Sequence, residues 1–207
     1  TSKQSLWIPF ALVVLAPQAH SQDEKAKVVT TLAYLGDVVR AVGGEHVSVE
    51  VLAPVGQDPH FIVPTPARAV VLSHADASIE SGIQLELWSE RVIDLARNQS
   101  IRPGSGGHTY AAVGVRPLQV PRNQSRAGGD VHVGGNPHVW LDPMNLKVVA
   151  KNVETTLARV RPGHTQSFAR NRKAFEAKLN ELYYGKDLVR VLGAKLLSRL
   201  QKQGRLI

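Results

Sequence analysis

The first hundred residues change hydrophobic period again and again, and that alternation restricts the fold more than any other feature. KVVTT (27–31) is a short β-branched run. It leads into LAYLGDVVRAVGG, where Leu32, Leu35, Val38, Val39 and Val42 keep helical spacing and Gly43-Gly44 supplies a stop. Val47, Val49 and Val51 then alternate with Ser48 and Glu50, the period of a strand, before the breaker-rich VGQDPHFIVPTP. A short helix is predicted from Ala67 to His74, a third strand in ADASIES, and an amphipathic helix in IQLELWSERVIDLARN through Leu85, Trp88, Val92 and Leu95. Strands alternating with helices predict an α/β fold with a parallel sheet flanked by helices.

The remaining chain adds a strand near 112–120, a mobile loop over about 122–135, and a helical stripe through Leu146, Val149, Ala150, Val153, Leu157 and Val160. Asp142 is placed to cap that helix and Pro143 to begin it. Pro162 and Gly163 end it, and a second long helix is predicted from about His164 to Tyr184. DLVRVLGAKLLSRLQKQ also patterns as helix and runs almost to Ile207, so the chain is expected to continue beyond that residue. At the other end, Lys3, the apolar LWIPFALVVLA and the small-residue site before Gln22 read as an export signal over 1–21, cleaved or retained as an anchor.

The chain has no cysteine, which excludes a disulfide scaffold and thiolate metal ligation and leaves stability to the core. Its net charge of +8 is a C-terminal property, because residues 151–207 carry 13 Lys/Arg against 4 Asp/Glu while residues 1–150 carry 12 against 13. Those charges are scattered over helix-patterned segments with few aromatics, which argues for a solvated surface or an acidic partner and against nucleic acid.

Of the eight histidines, His20, His46, His74, His108 and His164 read as surface or hydrogen-bonded structural residues. His60 and His138 differ. Each lies in a loop directly after a strand-like segment, each follows a proline (DPH and NPH), and each precedes a bulky apolar pair. Loops at the carboxyl ends of parallel strands gather around ligands, so these two can converge although they are distant in sequence. Neutral imidazole is a common ligand for zinc and suits other first-row divalent ions. His132, in a glycine-bearing loop, is a candidate auxiliary ligand. A metal-dependent hydrolase using Asp58 or Asp142 remains an alternative, although no HExxH, GxSxG or HxH pattern occurs.

The run VTTLAYLGDVVRAVGGEHVSVEVLAPVGQDPHFIVPTPARAVVLSHADASIESGIQLELW, followed by GDVHVGGNPHVWLDPMNLKVVAKNV, resembles the metal-binding component of bacterial zinc and manganese ABC importers. DPHFIVPTP and NPHVWLDP are the most specific blocks. The resemblance implies a two-lobed binding protein whose lobes are bridged by one long helix, with four side chains holding the ion between them. His60 and His138 match the two histidines of the N-terminal lobe. The other two ligands, a His or Glu and an Asp, would lie beyond Ile207. On this basis the chain divides into an export signal (1–21), an N-terminal α/β metal-binding lobe (22–163), a bridging helix (164–184) and the start of a C-terminal lobe (185–207).

The implied cargo is zinc, with manganese as the alternative; the implied partner is a membrane permease, and the implied setting is periplasmic or extracytoplasmic, with a monomeric full-length protein. Some members of the family are surface adhesins, which gives an interaction protein of the same fold as another alternative. The sequence departs from the family at Gln84, where relatives often carry an acid, and in a 122–135 loop without the long histidine tract of some zinc-specific members.

Overall fold

The computed structural model describes residues 24–121 and 132–206. The predicted export signal over 1–21 and most of the loop predicted over 122–135 fall outside them. Four parallel strands form the sheet: β1 (Ala26–Thr30), β2 (Val47–Val51), β3 (Ala77–Glu80) and β4 (His108–Tyr110), in the order β2-β1-β3-β4. Between them run α1 (Ala33–Gly43), α2 (Pro66–Ser73) and α3 (Ser89–Ala96). The βαβ alternation of the sequence is thus the framework of the fold.

Adjacent β1 residues serve opposite faces, as strand geometry requires. Val28 joins a core with Leu35, Val39 and Val42 of α1, and with Val149, Val153, Leu157 and Phe168 from farther along the chain. Val29 joins a second core with Ala69 and Leu72 of α2 and with Trp88, Val92 and Ile93 at α3. Helices therefore cover both faces of the sheet, and the buried strands can be apolar throughout.

Two helices follow, α4 (Leu146–Val160) and α5 (Thr165–Tyr184), joined by a 3-10 turn over Pro162–His164. They lie antiparallel: Arg172 of α5 bridges Glu154 of α4 and Glu176 of its own helix, and near the other end Lys147 donates to Asn180. The 20 residues of α5 span about 30 Å at the usual helical rise. Gly185 and Gly193, with φ of 88° and 74°, then turn the chain twice, so the C-terminal helical pattern is two short helices, α6 (Lys186–Leu192) and α7 (Ala194–Lys202). Buried Leu197 and a hydrogen bond from the Tyr184 hydroxyl to Gln201 fold α7 back onto α5. Among the described residues no helix is long and apolar enough to cross a membrane.

Three expectations change. The fourth strand is at 108–110, not near 112–120, because His108, Thr109 and Tyr110 are the residues in register with Ser78, Ile79 and Glu80 of β3. The downstream stretch turns at Gly114 (φ 89°) instead of pairing. The helix read from residue 83 begins only at Ser89, because Ile83 and Gln84 adopt left-handed φ values of 55° and 60°. Asp142 caps a 3-10 turn over Pro143–Asn145, accepting from Met144 N–H at 2.9 Å, and α4 starts one residue later.

Phe168 is fully buried where α5 meets α1 and α4. Phe168→Ala should destabilise the chain by about 3–5 kcal/mol, measured by urea unfolding; a loss below about 1 kcal/mol would show that α5 does not share this core.

Candidate metal site

The carboxyl ends of β2, β1 and β3 open toward the loops that carry His60, His132 and His138. His60 sits in a 3-10 turn over Pro59–Phe61 reached from β2. Asp58, at the cap of that turn, receives the His60 backbone N–H at 2.9 Å and its imidazole Nδ1 at 2.7 Å on the same oxygen, Oδ1. The indole of Trp88 donates to the Pro59 carbonyl at 2.8 Å, pinning the turn to the start of α3.

His138 is held in the same way. Asn136 Oδ1 receives the His138 backbone N–H at 3.0 Å and its Nδ1 at 2.8 Å. Asn136 is itself fixed, its amide donating to Gln119 Oε1 at 2.6 Å and its backbone N–H to the Leu118 carbonyl at 2.8 Å. Behind His138, Val139 is buried with Ala112 and Val115, and Trp140 stacks on Tyr34 with ring centroids 4.9 Å apart.

These twin clips determine the tautomers. The ionised Asp58 carboxylate and the Asn136 amide oxygen have no proton to donate, so in the neutral rings Nδ1 of each imidazole carries the proton and Nε2 bears the lone pair. A hydrogen bond from the second ring nitrogen to a carboxylate or amide oxygen is how metal-binding imidazoles are commonly oriented. The backbone N–H and then the imidazole of His60 also hold the Asp58 carboxyl below its ordinary range. Asp58 is therefore a poor proton acceptor, which weighs against its use as a catalytic base.

His132 is brought onto His60, with the two Nε2 atoms 3.1 Å apart. Two imidazole nitrogens on one tetrahedral zinc would be about 3.3 Å apart, given bonds of roughly 2.05 Å. The His138 ring lies beside His60 at a centroid distance of 5.4 Å. A cleft of about 260 Å³ borders His132 and His138. Among the described residues no group of three or more His, Asp or Glu side chains is arranged as a finished ion site. The geometry is a near-closed pair with a third imidazole alongside.

Several supporting residues escaped the sequence reading. Buried Glu86 accepts the Thr31 hydroxyl at 2.7 Å, the Ser81 N–H at 2.7 Å and the Gly82 N–H at 3.1 Å, tying the ends of β1 and β3 to the left-handed turn at residues 83 and 84. From that turn Gln84 accepts the Val133 N–H at 3.1 Å, and Ile83 packs on the cluster containing Val139. One carboxylate thus supports the loops of both His132 and His138. Its neighbour Glu80 receives the buried His108 imidazole at 2.6 Å and the Ser89 hydroxyl, which gives His108 the structural role expected of it. Asp58 and Asn136 could have been suspected from the repeated Asx-Pro-His spacing; nothing local in the sequence marks Glu86.

The family model described as the periplasmic zinc-uptake complex component A matches residues 28–184. The chain belongs to this family. It is 29% identical over 162 residues to the manganese ABC transporter substrate-binding lipoprotein PsaA of Streptococcus pneumoniae, covering 78% of this chain and 50% of that protein. The iron-binding protein YfeA of Yersinia pestis is 26% identical over 159 residues, covering 77% of this chain and 47% of its own length. The chain therefore spans about half the length of these relatives. The Mn-bound periplasmic metal-binding protein of Candidatus Liberibacter asiaticus superposes with a TM-score of 0.62 at 21% identity, over 76% of this chain and 55% of that one. Zn(II)-bound AdcA of Streptococcus pneumoniae also gives 0.62, at 23% identity, over 80% of this chain and 32% of that one. These two likenesses establish the shared fold.

Burial raises Glu86 to about 7, against the hydrogen bonds from Thr31 and Ser81. A carboxyl raised on folding binds more protons folded than unfolded, so its contribution to stability is present below its unfolded value and is lost as pH rises toward 7. The melting temperature should accordingly carry a component that falls between about pH 5 and pH 8. Glu86→Gln should remove that component while lowering stability at pH 5, since an amide NH2 cannot accept from Gly82; identical pH profiles for the two proteins would refute this role.

Proposed function

We propose that this chain captures a divalent transition-metal ion outside the cytoplasm for delivery to an ABC permease, with zinc as the favoured cargo and manganese as the alternative. The observation that carries the reading is the pair of Asx-Pro-His clips, which fix Nδ1–H on His60 and His138 and reserve Nε2 for a ligand. His60 and His138 are the proposed ligands. His132, whose Nε2 already meets that of His60, is the proposed auxiliary ligand. The imidazole donors of this lobe suit zinc better than manganese, which prefers oxygen donors.

The mechanism is capture and release, with no bond broken in the cargo. Rings fixed by the clips have little rotational freedom to lose when an ion arrives, and proline in each clip limits the backbone as well. In the metal-free contact His132 must supply the proton to the lone pair of His60, so ion binding replaces that hydrogen bond with coordination. The non-enzymatic reading is supported by Asp142, which serves as a turn cap, and by Asp58, whose carboxylate is committed to His60.

We assign residues 22–163 to the metal-binding lobe, 164–184 to the bridging helix and 185–207 to the start of a second lobe that would bring the remaining ligands. The full-length protein is proposed to act as a monomer, exported by the segment at 1–21. With water in place of second-lobe ligands, the 207-residue chain should bind zinc more weakly than a closed four-ligand site. In calorimetric titrations of this chain, His60→Ala and His138→Ala should each weaken zinc binding by about tenfold or more. His132→Ala should have a smaller effect, and His74→Ala, at the C-terminal cap of α2, none. Unchanged zinc titrations of both His60→Ala and His138→Ala would overturn the assignment.

A further inference from the structure

Part of the basic excess of the C-terminal segment lines a cavity. Between the start of α4, the end of α5 and one side of α7 lies a concavity of about 570 Å³, lined by Lys147, Asn180, Lys195, Ser198, Arg199 and Lys202 among others, with no carboxylate in its wall. Several other cations of the C-terminal helices are neutralised locally: Arg172 by Glu154 and Glu176, Lys151 by Glu154, and Arg190 by Asp187. Among the described residues, none of the four cavity cations forms an ion pair with a carboxylate. Lys147 instead donates to the neutral oxygen of Asn180.

We propose that this cavity binds a phosphate-type oxyanion, with Lys147, Lys195, Arg199 and Lys202 supplying charge and Asn180 and Ser198 supplying neutral donors. Arg199 offers a planar fork suited to two phosphate oxygens, while the lysines act as mobile point charges. The volume suits a small phosphate-bearing molecule or a lipid headgroup. Burial, and then the proximity of Lys202, pulls the Lys147 ammonium below its ordinary range despite the attraction of Glu176. An anion between these cations reverses that repulsion, so the charge arrangement that is unfavourable in the empty cavity becomes favourable in the filled one. The cavity is built from α4, α5 and α7, whereas the histidines come from loops at the carboxyl edge of the sheet. The cavity is therefore separate from the histidine loops.

The free ion and the lipid headgroup are separated by two arms, both with the metal-free 207-residue chain in EDTA. Inorganic phosphate and pyrophosphate are titrated with 31P NMR and calorimetric readouts. Co-sedimentation is measured with phosphatidylcholine vesicles with and without phosphatidylglycerol. Binding in either arm identifies the source and should weaken about tenfold or more in Lys195→Gln/Lys202→Gln, which alters exposed side chains alone, and in Lys147→Gln/Arg199→Gln. Lys173→Gln/Lys178→Gln removes the same charge from exposed positions of α5 outside the cavity and should bind as the parent does. Absence of binding in both arms, undiminished binding by both cavity variants, or an equal loss in the control variant would overturn the proposal.

Discussion

The architecture of the proposed metal site depends on one buried carboxylate. Glu86 gathers three donors from the ends of two adjacent strands and so forces the chain after β3 into a turn with two non-glycine residues in the left-handed region. That backbone is unfavourable by itself, and it persists because the surrounding hydrogen bonds over-determine it. The turn then carries Ile83 under Val139 and Gln84 against Val133. The rigid sheet thereby reaches into loops that have almost no regular structure of their own. Burial makes this support costly for an ionised carboxylate, which is why its pKa sits near neutrality.

On that platform the two principal histidines are oriented by a shared local device. Asp58 and Asn136 differ in charge but present the same oxygen to the same pair of donors, a backbone N–H and Nδ1 two residues on. Because the device needs an acceptor and a fixed turn, an aspartate and an asparagine serve equally for orientation. The two rings are therefore held in the same local geometry.

Helical periodicity predicted the α4–α5 pair well, because α4 carries a continuous apolar stripe, α5 buries Phe168 and Leu179, and proline with glycine marks the break between them. The strand expected at 112–120 failed for a reason internal to sheets. VGVRPLQV alternates acceptably, yet a strand exists through its partner, and the residues alongside β3 are His108, Thr109 and Tyr110. The helix start at residue 83 failed because Leu85 and Trp88 fit a helical stripe while the backbone around them answers to Glu86. In the first case the strand pairing is with a distant segment, and in the second Glu86 joins its own turn to Thr31 at the end of β1.

The sequence by itself determined the parallel α/β framework, the long α4 and α5 helices, and the two proline-flanked histidines, because each of these is written in short-range periodicity or turn chemistry. Tertiary structure alone decided that His132 meets His60 across 72 positions, that Glu86 supports both histidine loops, and that four cations share one cavity. These depend on which loops emerge at the same edge of the sheet and which helices fold back on each other. Such proximities arise from packing between distant segments, and no local pattern of residues encodes them.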